Sequence, residues 1–283
     1  MDQYPRIRTV DYLSPFRYPG GKSFLTGYLA SIAKQLPTTR DTHYLEPYCG
    51  GAGAALGLLA QNAVSKIHLN DRDIRVYSAW KAIIDETQRF IETLDSVPVT
   101  IETWRKCRDL VEASSEKYSF ELGFATFFIN RTSRAGIVLG SGPIGGYKQQ
   151  GHWKIDARYY GQTIKKRLNW IGQHSNRIEL SNDDGIDFLN RKSKELENLS
   201  TLYFIDPPYV KAGGRLYLNT MTDSEHRKLS DILKTNKCRN WILTYDDHPL
   251  IRELYQDRRM RKLHVNYSLR KTRKEAELIV DAL

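Results

Sequence analysis

Cysteine is scarce in this chain of 283 residues: there are three, Cys49, Cys107 and Cys238, set far apart. An odd, scattered set makes neither a disulfide framework nor a zinc-binding pattern, and it fits a reducing cytoplasm. Long apolar runs are missing as well. None approaches the length needed to cross a membrane, and Met1–Val10 is polar and charged, unlike a secretory signal. Internal repeats and low-complexity tracts are absent. Acid is outnumbered, with 33 Asp and Glu against 43 Lys and Arg, which gives a net charge of +10 and a pI near 9.4. Such an excess favours a polyanionic partner. The remainder is ordinary globular material, 40% hydrophobic and 27% charged. It suffices for one large α/β domain, or for a core with one insertion.

The cationic excess is uneven. Arg258 to Lys274 holds eight Lys or Arg and no acid, interleaved with His264, Asn266 and Tyr267. A solvated basic face and a phosphate-contacting surface both account for it, and the second is preferred.

Along the chain, THYLEP (42–47) reads as a short strand, and YCGGAGAALGLLAQN after it as a glycine turn opening a helix. KIHLND (66–71) is the next strand, and IRVYSAWKAI has helical apolar spacing. This β-α-β-α opening predicts a parallel, doubly wound sheet. RIELS (177–181), LYFID (202–206) and NWILTYD (240–246) continue it. Thr222 and Glu225 have the spacing of a capping box. Asp247 and Pro249 suit the N-cap and first turn of a helix through Tyr255. KLHVNYS and AELIVDAL read as a closing antiparallel pair. The middle breaks the rhythm: residues 90–125 read as amphipathic helix, and 130–160 as an exposed, glycine-rich loop or hairpin with several cations, Tyr147, Trp153, Tyr159 and Tyr160. Residues 90–176 are therefore expected to form an insertion between two parts of one domain, 1–89 and 177–283.

Four stretches carry chemistry. LYFIDPPYVK (202–211) ends a buried strand with Asp206, Pro207, Pro208 and Tyr209. Prolines cannot donate to a ladder, so the strand stops there. A plain surface turn explains this; so does a rigid site with an acceptor carboxylate, free carbonyls and a stacking ring, placed where open α/β sheets bind ligands. EPYCGGAG (46–53) sets Gly50, Gly51 and Gly53 where a strand becomes a helix, and Asp71 stands at the end of the second strand, where an acid can take ribose hydroxyls. That pair suggests an adenosine-containing cofactor and leaves NAD and S-adenosylmethionine both open. PFRYPGGKSFL (15–25) precedes the first core strand, with Lys22 at the head of a helix. In NDDGIDFL (182–189), Asp184 suits either an adenine amino group or a helix N-cap, with Phe188 or Leu189 as a ring wall.

Together these stretches resemble the Dam-like, D12 class of DNA adenine-N6 methyltransferases. PFRYPGGK is similar to the family's N-terminal cofactor motif, EPYCGGAG to its Phe-x-Gly-x-Gly loop (with Tyr48 in place of Phe), HLNDRD to its acidic second-strand motif, and DPPY to its catalytic motif. The order matches too, and the similarity extends through INRTSRAG and LTYDDHPLIRELY. The resemblance implies a Rossmann-like α/β sheet binding S-adenosyl-L-methionine, with an inserted, largely helical region recognising double-stranded DNA. It implies that Glu46, Pro47, Gly50, Gly51, Gly53 and Asp71 hold the cofactor, Tyr18 and Lys22 close over it, and Asp184 contacts its adenine. Asp206 and the Pro207 carbonyl would accept from the target N6 amine, beside Pro208, and Tyr209 would stack on the flipped base. Arg131, Arg134 and Lys148 are the expected DNA contacts. No metal is needed, because a sulfonium is already activated. A monomer in a bacterial or phage-infected cytoplasm is expected, serving restriction–modification, housekeeping or phage self-protection. Competing readings are methylation of cytosine N4, RNA adenine or another planar amine, a non-catalytic DNA-binding relative, and a dehydrogenase. The last leaves DPPY and the leader unexplained.

Overall fold

The computed structural model describes residues 13–18, 20–37, 41–114, 116–211, 220–235, 238–268 and 272–282, without the side chains of 264–268 and 272–276. Most of the basic run Arg258–Lys274 lies outside the described side chains. Helix α1 (Thr26–Ala33) precedes strand β1 (Thr42–Glu46), which is followed by α2 (Gly53–Ala60), β2 (Lys66–Asn70) and α3 (Ile74–Asp85). Next come α4 (Thr87–Ser96), α5 (Ile101–Glu112), α6 (Phe120–Thr132) and α7 (Gly161–Gln173). The chain then returns to β3 (Ile178–Ser181), α8 (Gly185–Glu195), β4 (Ser200–Ile205), α9 (Asp223–Lys234), β5 (Trp241–Asp246) and α10 (Pro249–Leu254). A hairpin of β6 (Arg259–Ser268) and β7 (Thr272–Asp281) completes the sheet.

The strand order is β3-β2-β1-β4-β5-β7-β6. The first five run parallel, while β7 pairs antiparallel with both β5 and β6. This is the expected doubly wound sheet, and the expected closing pair sits at its edge. Successive side chains of a strand point to opposite faces, so a strand covered on both sides reads as a continuous apolar run. Tyr44, Leu202, Phe204, Ile242 and Ile279 enter one cluster, with residues of α1 to α7. Leu45, Tyr203, Ile205, Leu243 and Val280 enter the other, with Phe188, Leu229 and Ile251 from α8, α9 and α10.

The predicted helical stretch 90–125 is divided among α4, α5 and α6, and α6 runs on to Thr132. Every residue of that helix except Glu121 is buried, and Gly123 lets it lie on α3, since a Cβ there would fall 2.4 Å from the Ser78 carbonyl oxygen. Residues 130–160 contain turns and one isolated bridge, Ser133–Pro143, rather than a hairpin. Thr222 and Glu225 form both halves of the capping box on α9. Asp247, expected to cap α10, does not. His248 accepts from the Leu250 amide and Pro249 takes the first helical position, while Asp247 is held by Arg252 at 2.6 Å. The cap sits immediately before the proline, one residue later than expected.

Candidate functional site

β1 has β2 on one side and β4 on the other, so the chain turns in opposite directions after these two strands. The crevice at such a switch point is where open α/β sheets bind ligands. A cavity of about 640 Å³ opens there, at the carboxyl ends of β1, β2, β3 and β4. Its wall includes Tyr18, Lys22, Glu46, Gly50, Gly51, Gly53, Asp71, Asp184, Asp206 and Pro208. Residues expected from five separate stretches thus share one space. Pro47 and Pro207 are buried without lining it, and among the three arginine and lysine positions expected to meet DNA only Arg131 does. Arg134 and Lys148 are exposed elsewhere on the insertion.

The glycine loop is shaped by the leader. Gly50 has φ of +44°, and a Cβ on it would come 2.8 Å from the Tyr18 ring. One on Gly53 would come 3.1 Å from Ser23. These small residues make room for the N-terminal segment, which lies directly on the loop. Hydrogen bonds then fix the loop: Gly50 N–H donates to Asp71 at 3.0 Å, Trp80 Nε1 to the Gly50 carbonyl at 2.7 Å, and Ser14 Oγ to the Gly51 carbonyl at 2.5 Å.

Asp71 accepts through its other oxygen from the Asp73 amide at 3.0 Å. Burial, reinforced by Asp73, pushes its pKa up to about 7. Glu46 is 5% exposed and accepts from the Tyr44 hydroxyl at 2.6 Å, and burial raises it to about 8. Asp184 caps α8, accepting from the amides of Ile186 and Asp187, and meets Arg72 at 3.2 Å. The side chain beside it in the cavity is Ile186. Phe188 and Leu189, expected as the ring wall, point into the second core, because their face of α8 packs on the sheet. Asn70, which lies within HLNDRD but is given no role there, pins these ends together. Its amide donates to the carbonyls of Pro47 and Asp183 at 2.9 and 3.0 Å, and its oxygen accepts from the Asp183 amide at 2.8 Å.

At the end of β4, Asp206 accepts from Thr244 Oγ1 at 2.6 Å and the Tyr209 hydroxyl at 3.1 Å through one oxygen, and from Lys22 Nζ at 2.9 Å through the other. Lys22 also donates to the Gly20 carbonyl and the Tyr209 hydroxyl, both at 2.9 Å, and lies 3.5 Å from Glu277 on β7. Burial opposes its charge, but Asp206 and Glu277 outweigh burial, so its pKa lies above the ordinary lysine value. Tyr209 is 5% exposed, with Lys22 at 5.3 Å from its ring centroid and Tyr245 at 6.1 Å. Its ring belongs to the second core rather than to the cavity wall. Thr244 and Glu277 carry no motif; only their place beside β4 and Lys22 gives them a role.

Among the described residues no group of three His, Cys, Asp or Glu could hold a metal ion, and no helix is long and apolar enough to cross a membrane. No curated protein sequence matches the chain. Two solved structures of the rRNA methyltransferase AviRa from Streptomyces viridochromogenes are similar at 14% identity, over 94% of this chain and 86% of that one. Their TM-scores of 0.38 and 0.39 carry no argument about this chain's substrate. The family profile is decisive. The D12 class N6 adenine-specific DNA methyltransferase profile matches residues 18–121 and 142–272, a span containing the glycine loop, Asp71 and the DPPY motif, and the chain belongs to that family.

Proposed function

We propose that this enzyme transfers a methyl group from S-adenosyl-L-methionine to N6 of an adenine flipped out of duplex DNA. The observation that carries the reading is the position of Asp206. It stands at the switch point, next to a proline pair and on the same cavity as the glycine loop. The residues suit the cofactor: the cavity volume is in the range of small-molecule sites, Asp71 and Asp184 offer oxygens near the loop, and Tyr18 covers it. When bound, the cofactor supplies an electrophilic methyl group on a sulfonium.

The lone pair of an aromatic amine is delocalised into the ring, which makes it a poor nucleophile. Asp206 and the Pro207 carbonyl, as two acceptors, favour a tetrahedral nitrogen and localise that lone pair. Positioning and preorganised electrostatics supply most of what remains. Thr244 and Lys22 fix the orientation of the Asp206 carboxylate, and Lys22 stays cationic between two carboxylates. Flipping costs a few kcal/mol, which contacts to the flanking strand offset. Stacking of the base on Tyr209 requires that ring to show a face now covered by Lys22 and Tyr245. Residues 90–176 act in this reading as the target-recognition region, and 1–89 with 177–283 as the catalytic part.

The test is transfer of labelled methyl from S-adenosylmethionine to unmethylated duplex DNA, followed by single-molecule sequencing. N6-methyladenine in one short recurring context is expected. Label appearing on RNA or on cytosine, or no label despite cofactor binding, would overturn the reading.

A further inference from the structure

Besides the carboxylates, a group of arginines lines the cavity. Arg17 comes from the leader, Arg131 from the end of α6, Arg158 from the segment before α7, and Arg167 from α7 itself; all four line the cavity together with Tyr160. Arg17, Arg131 and Arg158 bond to carbonyls and a phenol, and one of the contacts of Arg167 is a carbonyl as well. Arg17 donates to the Ser133 carbonyl at 3.0 Å, Arg131 to the Pro15 carbonyl at 3.5 Å and to that of Arg158, Arg167 to the Ser14 carbonyl at 2.9 Å, and Arg158 to the Tyr160 hydroxyl at 2.9 Å. Among the described residues no carboxylate pairs with Arg17, Arg131 or Arg158. Arg131 is 4% exposed, and its Nε–H is buried with no hydrogen-bond partner.

Like charges gathered this closely are unfavourable without an anion. Burial, then Arg17 and Arg167, push the Arg131 pKa down to about 10. Burial and Arg158 likewise lower Arg17. Several arginines elsewhere meet acids, as Arg75 does Asp73, Arg191 does Asp183 and Arg252 does Asp247. The strip continues to the surface, where Tyr160 is 50% exposed, Trp153 is 60% exposed, and the Arg158 guanidinium lies 5.8 Å from the Trp153 ring centroid.

We propose that this strip binds the sugar–phosphate backbone of the strand whose nucleotide enters the cavity. Arg17 and Arg131 lie at its inner end, and Arg158, Tyr160 and Trp153 at its outer end. The inference rests on the DNA reading above. The α-carboxylate of the cofactor offers the same oxyanion chemistry, but one carboxylate is satisfied by a single guanidinium fork. Several guanidinia leading out to exposed aromatic rings match a groove that follows a nucleic-acid backbone.

The experiment titrates fluorescently labelled, unmethylated duplex fragments against the full chain and against Arg17→Gln and Arg158→Gln, at several salt concentrations. Calorimetry measures S-adenosylmethionine binding to the same three proteins and reports their folding. The expected result is weaker duplex binding, with the slope of log affinity against log salt reduced by about one per variant, and unchanged cofactor affinity. Loss of cofactor affinity with an unchanged salt slope would assign the strip to the carboxylate. Unchanged binding of both would make it a structural latch, and either result overturns the proposal. Failure of the wild-type chain to bind duplex in a salt-dependent way would instead sink the DNA reading on which it stands.

Discussion

The two walls of the cavity are built on opposite electrostatic terms. On the carboxylate wall the acids are engaged by the protein itself. Asp206 has Thr244, Tyr209 and Lys22, Asp71 has two backbone amides, Asp184 has a helix terminus, and Glu46 has Tyr44. These groups are oriented before any ligand arrives, as preorganised catalysis requires. On the arginine wall, Arg17, Arg131 and Arg158 keep their charge uncompensated by acid among the described residues. One wall is finished and the other awaits an anion, which separates chemistry from grip.

Four substitutions test that separation. The largest effect is expected from Asp206→Ala, which should fold and bind duplex yet lower the methyl-transfer rate by on the order of 10²–10³-fold or more. Near-wild-type turnover would refute the role of Asp206. Arg17→Gln and Arg158→Gln should do the reverse, weakening duplex binding while rate at saturating DNA is largely kept; a steady-state split of kcat from KM would show it. Glu277→Gln leaves Lys22 and Asp206 paired but removes the second counter-charge, so roughly a 10-fold loss of kcat is expected, in keeping with the modest worth of one charge-assisted contact. A change in KM for DNA alone would place Glu277 on the wrong side of the comparison.

A separate expected effect is in stability and is pH-dependent. Glu46 has its folded-state pKa raised from 4.5 to about 8. Between those values the folded chain holds a proton that the unfolded chain has released, so this group's contribution to stability falls as pH rises. Glu46→Gln should therefore melt near wild type at pH 4.5 and progressively above it toward pH 8, as thermal unfolding across that window will report. A constant gap between the two would mean that Glu46 is not buried as a neutral acid.

The parallel sheet was legible because its strands are covered on both faces. LYFI and WIL read as uninterrupted apolar runs, and each was bounded by a turn or a glycine loop. The DPPY and glycine motifs were legible for a related reason, since proline and left-handed backbone restrict which residues can stand there. What escaped depends on pairs distant in sequence. Arg17 and Arg131 are ordinary in their own segments and become a cationic wall only when α6 packs under the leader. Asn70 looks like the tail of a strand, although it ties three chain segments together. Gly50 and Gly53 were expected to hold the cofactor; both line the cavity, and the neighbours a Cβ would meet there, Tyr18 and Ser23, belong to the leader. Ile186 rather than Phe188 or Leu189 lines the cavity, because helix phase, rather than hydrophobicity, decides which side chain reaches it.

The reach of Glu277 to Lys22 has a consequence for how the enzyme comes into being. Lys22 is translated before any strand of the sheet, and β7 after all the others, yet the two carboxylates that hold the ammonium stand just past β4 and on β7. Contacts between such distant segments close late, because the intervening chain must first be ordered. A nascent chain halted before β7 would carry a complete DPPY motif beside a lysine short of one partner. The finished surroundings of Lys22 thus draw on the segment ahead of the first strand and on the last strand of the chain.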